Sequence, residues 1–248
     1  MKKKNSGKEL LQKLGTLMAL ALLVLIFCVM MPDKFPRISN IMNIFKQASI
    51  NCLIASGMLC ALITAGIDLS VGSNCVLCTC TIGVLVQNFG ITSMPLLIIA
   101  GLAVSTLAGF VNGILLTRLD LPHPFVSTMG MKNVLTFVYS LSGFMAGMAG
   151  VVSVGRLASA NGNAGSTYDN DAIAACIVGG ASFTGGKGTI WGTLIGALLM
   201  AVIRNGLNLM GASNDIQYIV IGAVIILAVT IDVFRNKAEA KARKMAAQ

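Results

Sequence analysis

An acidic break flanked by glycines, Gly66-Ile67-Asp68-Leu69-Ser70-Val71-Gly72-Ser73, lies between two apolar blocks, INCLIASGMLCALITA before it and NCVLCTCTIGVLV after it. A carboxylate at membrane depth is costly, so it is buried in protein or faces a water-filled path. Glycine on each side lets the chain leave the helical conformation and expose backbone groups there. This segment restricts the chain to folds in which irregular backbone is shielded from lipid. A strand end and turn in a soluble protein would also accommodate it, but the rest of the chain excludes that alternative.

Of 248 residues, 56% are hydrophobic and 11% charged, and mean hydropathy is +0.84. Soluble domains carry about 25% charged residues, so long uncharged blocks at half that level mark an integral membrane protein. The 27 glycines and 14 methionines suit close helix packing in lipid. The net charge of +9 is concentrated at the chain ends, and no basic patch interleaves with aromatics, so nucleic acid is not an expected partner.

Spans of roughly 20 apolar residues are expected at Leu14–Met31, Ile50–Ala65, Val71–Phe89, Pro95–Thr117, Phe125–Gly155, Thr189–Met210 and Ile216–Val233. Ala172–Phe183 is too short for a span and reads as a half-helix or re-entrant piece. The basic start, residues 1–13, leads into the first span, which reads as retained rather than cleaved. Ser39 or Asn40 is placed to cap a short amphipathic helix with Ile41, Ile44 and Phe45 on one face. Arg156 to Asp171, polar and glycine-rich, reads as a surface loop. Gly109 and Gly113 have the spacing of a close-packing helix face. The expected fold is therefore all-α: one polytopic bundle over 1–248 with about eight crossings, a re-entrant piece near 172–183 and a basic tail at 234–248.

Placing the N-terminus in the cytoplasm and letting each segment cross puts twelve Lys and Arg on the cytoplasmic side and four outside. That asymmetry predicts both termini inside.

Catalytic motifs are absent. GGASFTGGKGT fails the phosphate-loop pattern, because Ala181 stands where its first glycine belongs and Gly188 follows Lys187. It reads as a flexible turn. The lone histidine, His123, has no carboxylate pair beside it and reads as a loop residue. Cys75, Cys78 and Cys80 do not share one helix face and read as small apolar residues, with no metal and no cofactor expected. Polar residues within spans are the better markers: Asp68, Ser70, Asn112, Arg204, Asn205 and Asn208. For the asparagines, interhelical bonding and a place on a solute path are equally open. VNGILL (111–116) echoes RNGLNL (204–209), a weak hint of an internal repeat.

GIDLSVGS (66–73), FVNGILLTRL (110–119), LPHPFVSTMGM (121–131) and the long stretch 142–211, in that order and spacing, resemble the bacterial ABC-importer permeases for monosaccharides, of the ribose, xylose and allose kind. The resemblance covers nearly the whole chain. It implies a multi-pass subunit of the bacterial inner membrane. A second permease subunit completes the pathway in a homodimer. A separate cytoplasmic ABC ATPase hydrolyses ATP, and a periplasmic sugar-binding protein delivers substrate. It also implies that the GIDLS break, the PHPFVST segment and the DNDAIAACIVGG half-helix surround the path, which makes Asp68, Ser70, Asn112, Ser127 and Asn205 the candidate pathway residues. The sequence departs from this family at 131–136. Relatives continue there through further spans and a cytoplasmic loop with a Glu-Ala-Ala element that docks on the ATPase. Here Met131-Lys132-Asn133 runs directly into the next helix, and the only glutamates are Glu9 and Glu239. A chain shortened by several dozen residues, with its docking element gone, is expected to be uncoupled. A permease for another solute, such as branched-chain amino acids, and a non-transporting membrane remnant or interaction subunit are the competing readings.

Overall fold

The computed structural model describes residues 6–119, 129–162, 165 and 167–246. The elements are α1 (Ser6–Met30), α2 (Ile38–Ile63), α3 (Val71–Phe89), α4 (Met94–Arg118), α5 (Met129–Leu157), α6 (Tyr168–Val178), α7 (Ile190–Leu209) and α8 (Asn214–Ala246), and the described residues contain no strand. Six helices, α2, α3, α4, α5, α7 and α8, are long and apolar enough to cross a membrane. The apolar part of α1, Gly15–Met30, is shorter. With 11 residues, α6 is a half-helix, as expected, although it begins before Ala172 and ends at Val178.

Helix α2 is one continuous element, so the short amphipathic helix expected before the second span does not exist separately. Asn40 does not cap it. The N-cap is Arg37, without a side-chain bond, and the Asn40 amide donates instead to the Phe35 carbonyl at 2.9 Å. Ile44 is buried while Ile41 and Phe45 are exposed.

Burial orders the bundle. In the most apolar window of α7, 61% of residues are buried, and 56% in α2, against 22% in α4 and 11% in α8. The first two helices are central and the last two face lipid. Helix α4 buries a single stripe in which every fourth residue is enclosed: Leu97, Gly101, Ser105, Gly109, Gly113 and Thr117. Small residues let backbones approach there. A Cβ on Gly109 would lie 2.4 Å from the Tyr139 carbonyl oxygen, and one on Gly113 2.8 Å from the Thr136 Cα.

Both ends of the described chain lie at one end of the bundle, the terminal end. Thr16 of α1 donates to the Val178 carbonyl, and Asp232 of α8 accepts from Ser182 and from the Phe183 amide. The turn after α6, read from sequence as flexible, is pinned there. Gly186 N–H donates to the Ile63 carbonyl at 2.9 Å, and Gly185 and Gly186 supply its positive φ angles of 83° and 75°. Of the segment read as a surface loop, Arg156 to Asp171, residues 156–162 are exposed as expected, while Gly165 sits against the backbone of Gly72 and Asp171 is buried in α6. Traced by these contacts, α2–α3–α4 and α5–α6–α7 run in opposite senses. The echoing asparagines, Asn112 and Asn205, fall on the third helix of each triplet.

Helices α6 and α7 touch backbone to backbone. A Cβ on Gly196 would stand 2.0 Å from the Ala175 carbonyl oxygen. Overpacking of this kind costs about 1–3 kcal/mol. Gly196→Ala is therefore expected to lower the thermal midpoint of the detergent-purified protein by several degrees. Gly222→Ala, where an added Cβ meets nothing within 4 Å, is expected to leave it unchanged or raise it. Equal midpoints for the two variants would disprove the tight α6–α7 contact.

Candidate functional site

The break begins where α2 ends. Ala65 adopts a left-handed φ of 58°, and Gly66 N–H returns to the Ala61 carbonyl at 3.0 Å, closing the helix. This is the usual helix-terminating geometry, with alanine where glycine is commoner. The chain then turns back into the bundle. Asp68 bonds Ser142 of α5, and Gly57 of α2 packs on the backbone of that same serine. Gly57 precedes Ile63 by six residues, about 9 Å at a 1.5 Å rise. The unwound segment therefore climbs well inside the helix ends before α3 starts.

Asp68 is 2% exposed. Its Oδ1 accepts from Ser70 N–H at 3.0 Å and Ser70 Oγ at 2.5 Å, and its Oδ2 accepts from Ser142 Oγ at 2.6 Å. Ser70 Oγ in turn accepts from Asn112 Nδ2 at 2.9 Å and Asn74 Nδ2 at 3.2 Å. One donor and two acceptor positions are a hydroxyl's full capacity. Nearby, Ser105 Oγ lies within bonding distance of the carbonyls of Asn74 and Gly143, at 3.0 and 2.9 Å. The network joins the break to α3, α4 and α5. Asp68 and Ser142 are enclosed, whereas Ser70 and Asn112 are partly exposed.

Three of the candidate pathway residues, Asp68, Ser70 and Asn112, thus come together. Asn205 does not join them. It lies toward the end opposite the termini, its Nδ2 donating to Asn40 Oδ1 at 2.9 Å while its buried Oδ1 has no partner. Ser127 and His123 lie outside the described residues. Asn208 accepts from Gln217 of α8 at 2.8 Å. Arg204 forms a two-bond pair with Asp171, Nε to Oδ2 at 2.5 Å and Nη2 to Oδ1 at 2.8 Å. Sequence reasoning did not single out Ser142, Asn74 or Asp171. Of these, only Asp171 carries a local signal, an acid at the head of an apolar half-helix.

The cysteines serve packing. Cys78 donates to the Gly147 carbonyl at 3.2 Å and fills the space left by Gly101 and Gly150. Among the described residues no group of His, Cys, Asp or Glu is placed to hold a metal ion.

A lipid-embedded bundle with a broken helix, a re-entrant half-helix and polar side chains clustered at depth has the architecture of a membrane transport protein. The chain belongs to the family described as branched-chain amino acid transport system / permease component, whose model matches residues 40–139 and 131–229. It is 31% identical to the ribose import permease protein RbsC of Escherichia coli K12, covering 91% of this chain and 95% of that protein. It is 30% identical to RbsC of Bacillus subtilis (90% and 93%) and 29% identical to the D-allose transport system permease protein AlsC of E. coli K12 (89% and 91%). The alignment with E. coli RbsC runs over 308 positions, while 91% of 248 residues is about 226, so some eighty positions of the relative have no counterpart here. No solved structure matches the chain.

Proposed function

We propose that this chain is the permease subunit of an ATP-driven monosaccharide importer, in an internally shortened form that no longer couples to its ATPase. The observation that carries the reading is the likeness to ribose permeases along 95% of the relative's length. The importer's partners are a cytoplasmic ABC ATPase, a sugar-binding protein outside the membrane and a second copy of the permease. Ser70 and Asn112, partly exposed, face the path; Asp68 braces them from behind, and Asn205 lies farther along. Ser127 belongs to the same path by the resemblance. The family name favours a branched-chain amino acid as solute, but the relatives named for ribose and D-allose favour a sugar.

The shortening lies at 131–136. The two stretches matched by the family model meet at residues 131–139, and α5 passes through this point without interruption. The eighty unmatched positions also support the second reading, a non-transporting interaction subunit. Inserting the corresponding segment of E. coli RbsC at this point and measuring uptake of labelled ribose, allose and leucine tests both. Sugar uptake by the restored chain supports the proposal. Leucine uptake without sugar uptake overturns it, and no uptake of any solute favours the interaction subunit.

Both termini face the cytoplasm of the bacterial inner membrane. Arg118, Lys187 and the basic tail all belong to the terminal end, and Lys34 and Arg37 to the other, a distribution that supports this orientation. A reporter active only in the periplasm is expected to be silent after Gln248 and active after Asn161. The reverse pattern would invert the topology.

A further inference from the structure

The half-helix α6 is anchored differently at its two ends. At its C-terminal end the backbones of Gly179 and Gly192 touch, and the turn that follows is hydrogen-bonded to α2 and α8. At its N-terminal end Gly165 lies against the backbone of Gly72 on α3, and Ala158 has a left-handed φ of 48°. There Asp171, 1% exposed, receives two parallel bonds from the guanidinium of Arg204 on α7, itself 11% exposed. The planar fork of arginine fixes orientation as well as charge. Asn205, the next residue on α7, is bonded to Asn40 of α2. The turn of α7 at 204–205 therefore ties the start of α6 and the start of α2 to one helix.

The geometry points to the Asp171–Arg204 pair as a latch that seats the half-helix, so that its release opens the middle of the bundle to water from the end opposite the termini. Arg204 is a positioning residue in this arrangement. If the pair is broken, a carboxylate is left unpaired at depth, which strongly favours moving it toward water. Carrying that charge, α6 shifts toward water and its packing against α2, α7 and α8 loosens along its length, Cys176 included.

The molecule contains its own reporters. Cys176, on α6 five residues past Asp171, is fully buried and donates to the Ala55 carbonyl at 3.3 Å. Cys78, equally buried, belongs to α3 and packs against α4 and α5, away from α6. The test is modification of the full chain, in nanodiscs, by a charged, water-soluble thiosulfonate, read cysteine by cysteine by mass spectrometry. Arg204→Gln is expected to raise the Cys176 rate about tenfold or more, the change that corresponds to 1.4 kcal/mol in an opening equilibrium. Arg204→Lys, which keeps the charge but loses the fork, is expected to raise it by a smaller factor. Cys78 stays at the parent rate in both variants. A Cys176 rate unchanged in either variant overturns the latch. So does a parallel rise at Cys78, which would mean general loss of packing. The lysine variant decides the matter alone if the glutamine variant does not fold.

Discussion

Liposomes holding this chain with the matching ATPase and sugar-binding protein are expected to take up labelled sugar no faster than liposomes without the permease. The same system with the 131–136 segment restored should exceed that background severalfold to about a hundredfold, the range spanned by coupling free energies of 1–3 kcal/mol. An ATPase drives a permease only through a contact that differs between its two states. On the proposed reading this contact belongs to a Glu-Ala-Ala element, and the chain's only glutamates are Glu9 and Glu239 near its ends. What the described residues of the terminal end offer instead is small and fixed. The turn at 182–187 is closed by the Ser182 N–H to Lys187 carbonyl bond and held to Ile63 and Asp232. A turn held on two sides can be touched by a partner but has little freedom to transmit its motion. Arg118 closes the last turn of α4. Sugar-stimulated ATP hydrolysis and uptake near the restored level would show that this surface couples after all.

The spans were legible because lipid demands length and apolarity from each crossing independently of the others. The break at 66–73 was legible for the same reason, as the place where that demand is violated. Gly109 and Gly113 were legible as a spacing, and they do face α5. The misreadings share another cause. The surface-loop reading holds for residues 156–162 and fails at Gly165 and Asp171, because a polar residue need not be exposed to water. In a bundle set in lipid, polar groups are also satisfied by one another at depth. Those pairings are non-local: Asp68 with Ser142 across 74 residues, Arg204 with Asp171 across 33, and Asn205 with Asn40 across 165. A single sequence carries no trace of such partners, so Ser142 and Asp171 went unmarked and Asn205 was grouped with Asp68. Asn40 was misjudged as a cap for a related reason. Asparagine favours helix ends by bonding local backbone, and here it bonds Phe35 and Asn205 from inside a helix whose start Arg37 sets.

In the restored chain, Asp68→Asn is expected to cut sugar uptake about tenfold or more while membrane insertion stays at the parent level. The carboxylate accepts three hydrogen bonds on two oxygens, from Ser70 N–H, Ser70 Oγ and Ser142 Oγ. An amide of the same shape has one accepting oxygen, so in either orientation its NH2 group faces a hydroxyl that was donating. Turning the oxygen toward Ser70 leaves the NH2 to donate to Ser142 Oγ, a reversed and uncharged bond, and the other choice sets the NH2 against Ser70 N–H. Hydrogen bonds to a charged group are worth about 1.5–3 kcal/mol each, against about 0.5–1.5 for neutral ones, and weakening all three is enough to shift the break relative to α5. Ser70 Oγ is also the acceptor for Asn112 and Asn74, so the disturbance reaches the two residues proposed to face the path. The insertion signal does not depend on this network, because the apolarity of α2 and α3 is untouched. Asp33→Asn, at an exposed carboxylate in the turn after α1, serves as the control and is expected to transport normally. Normal uptake by Asp68→Asn would remove Asp68 from the transport mechanism and leave it a structural residue of the loop between α2 and α3.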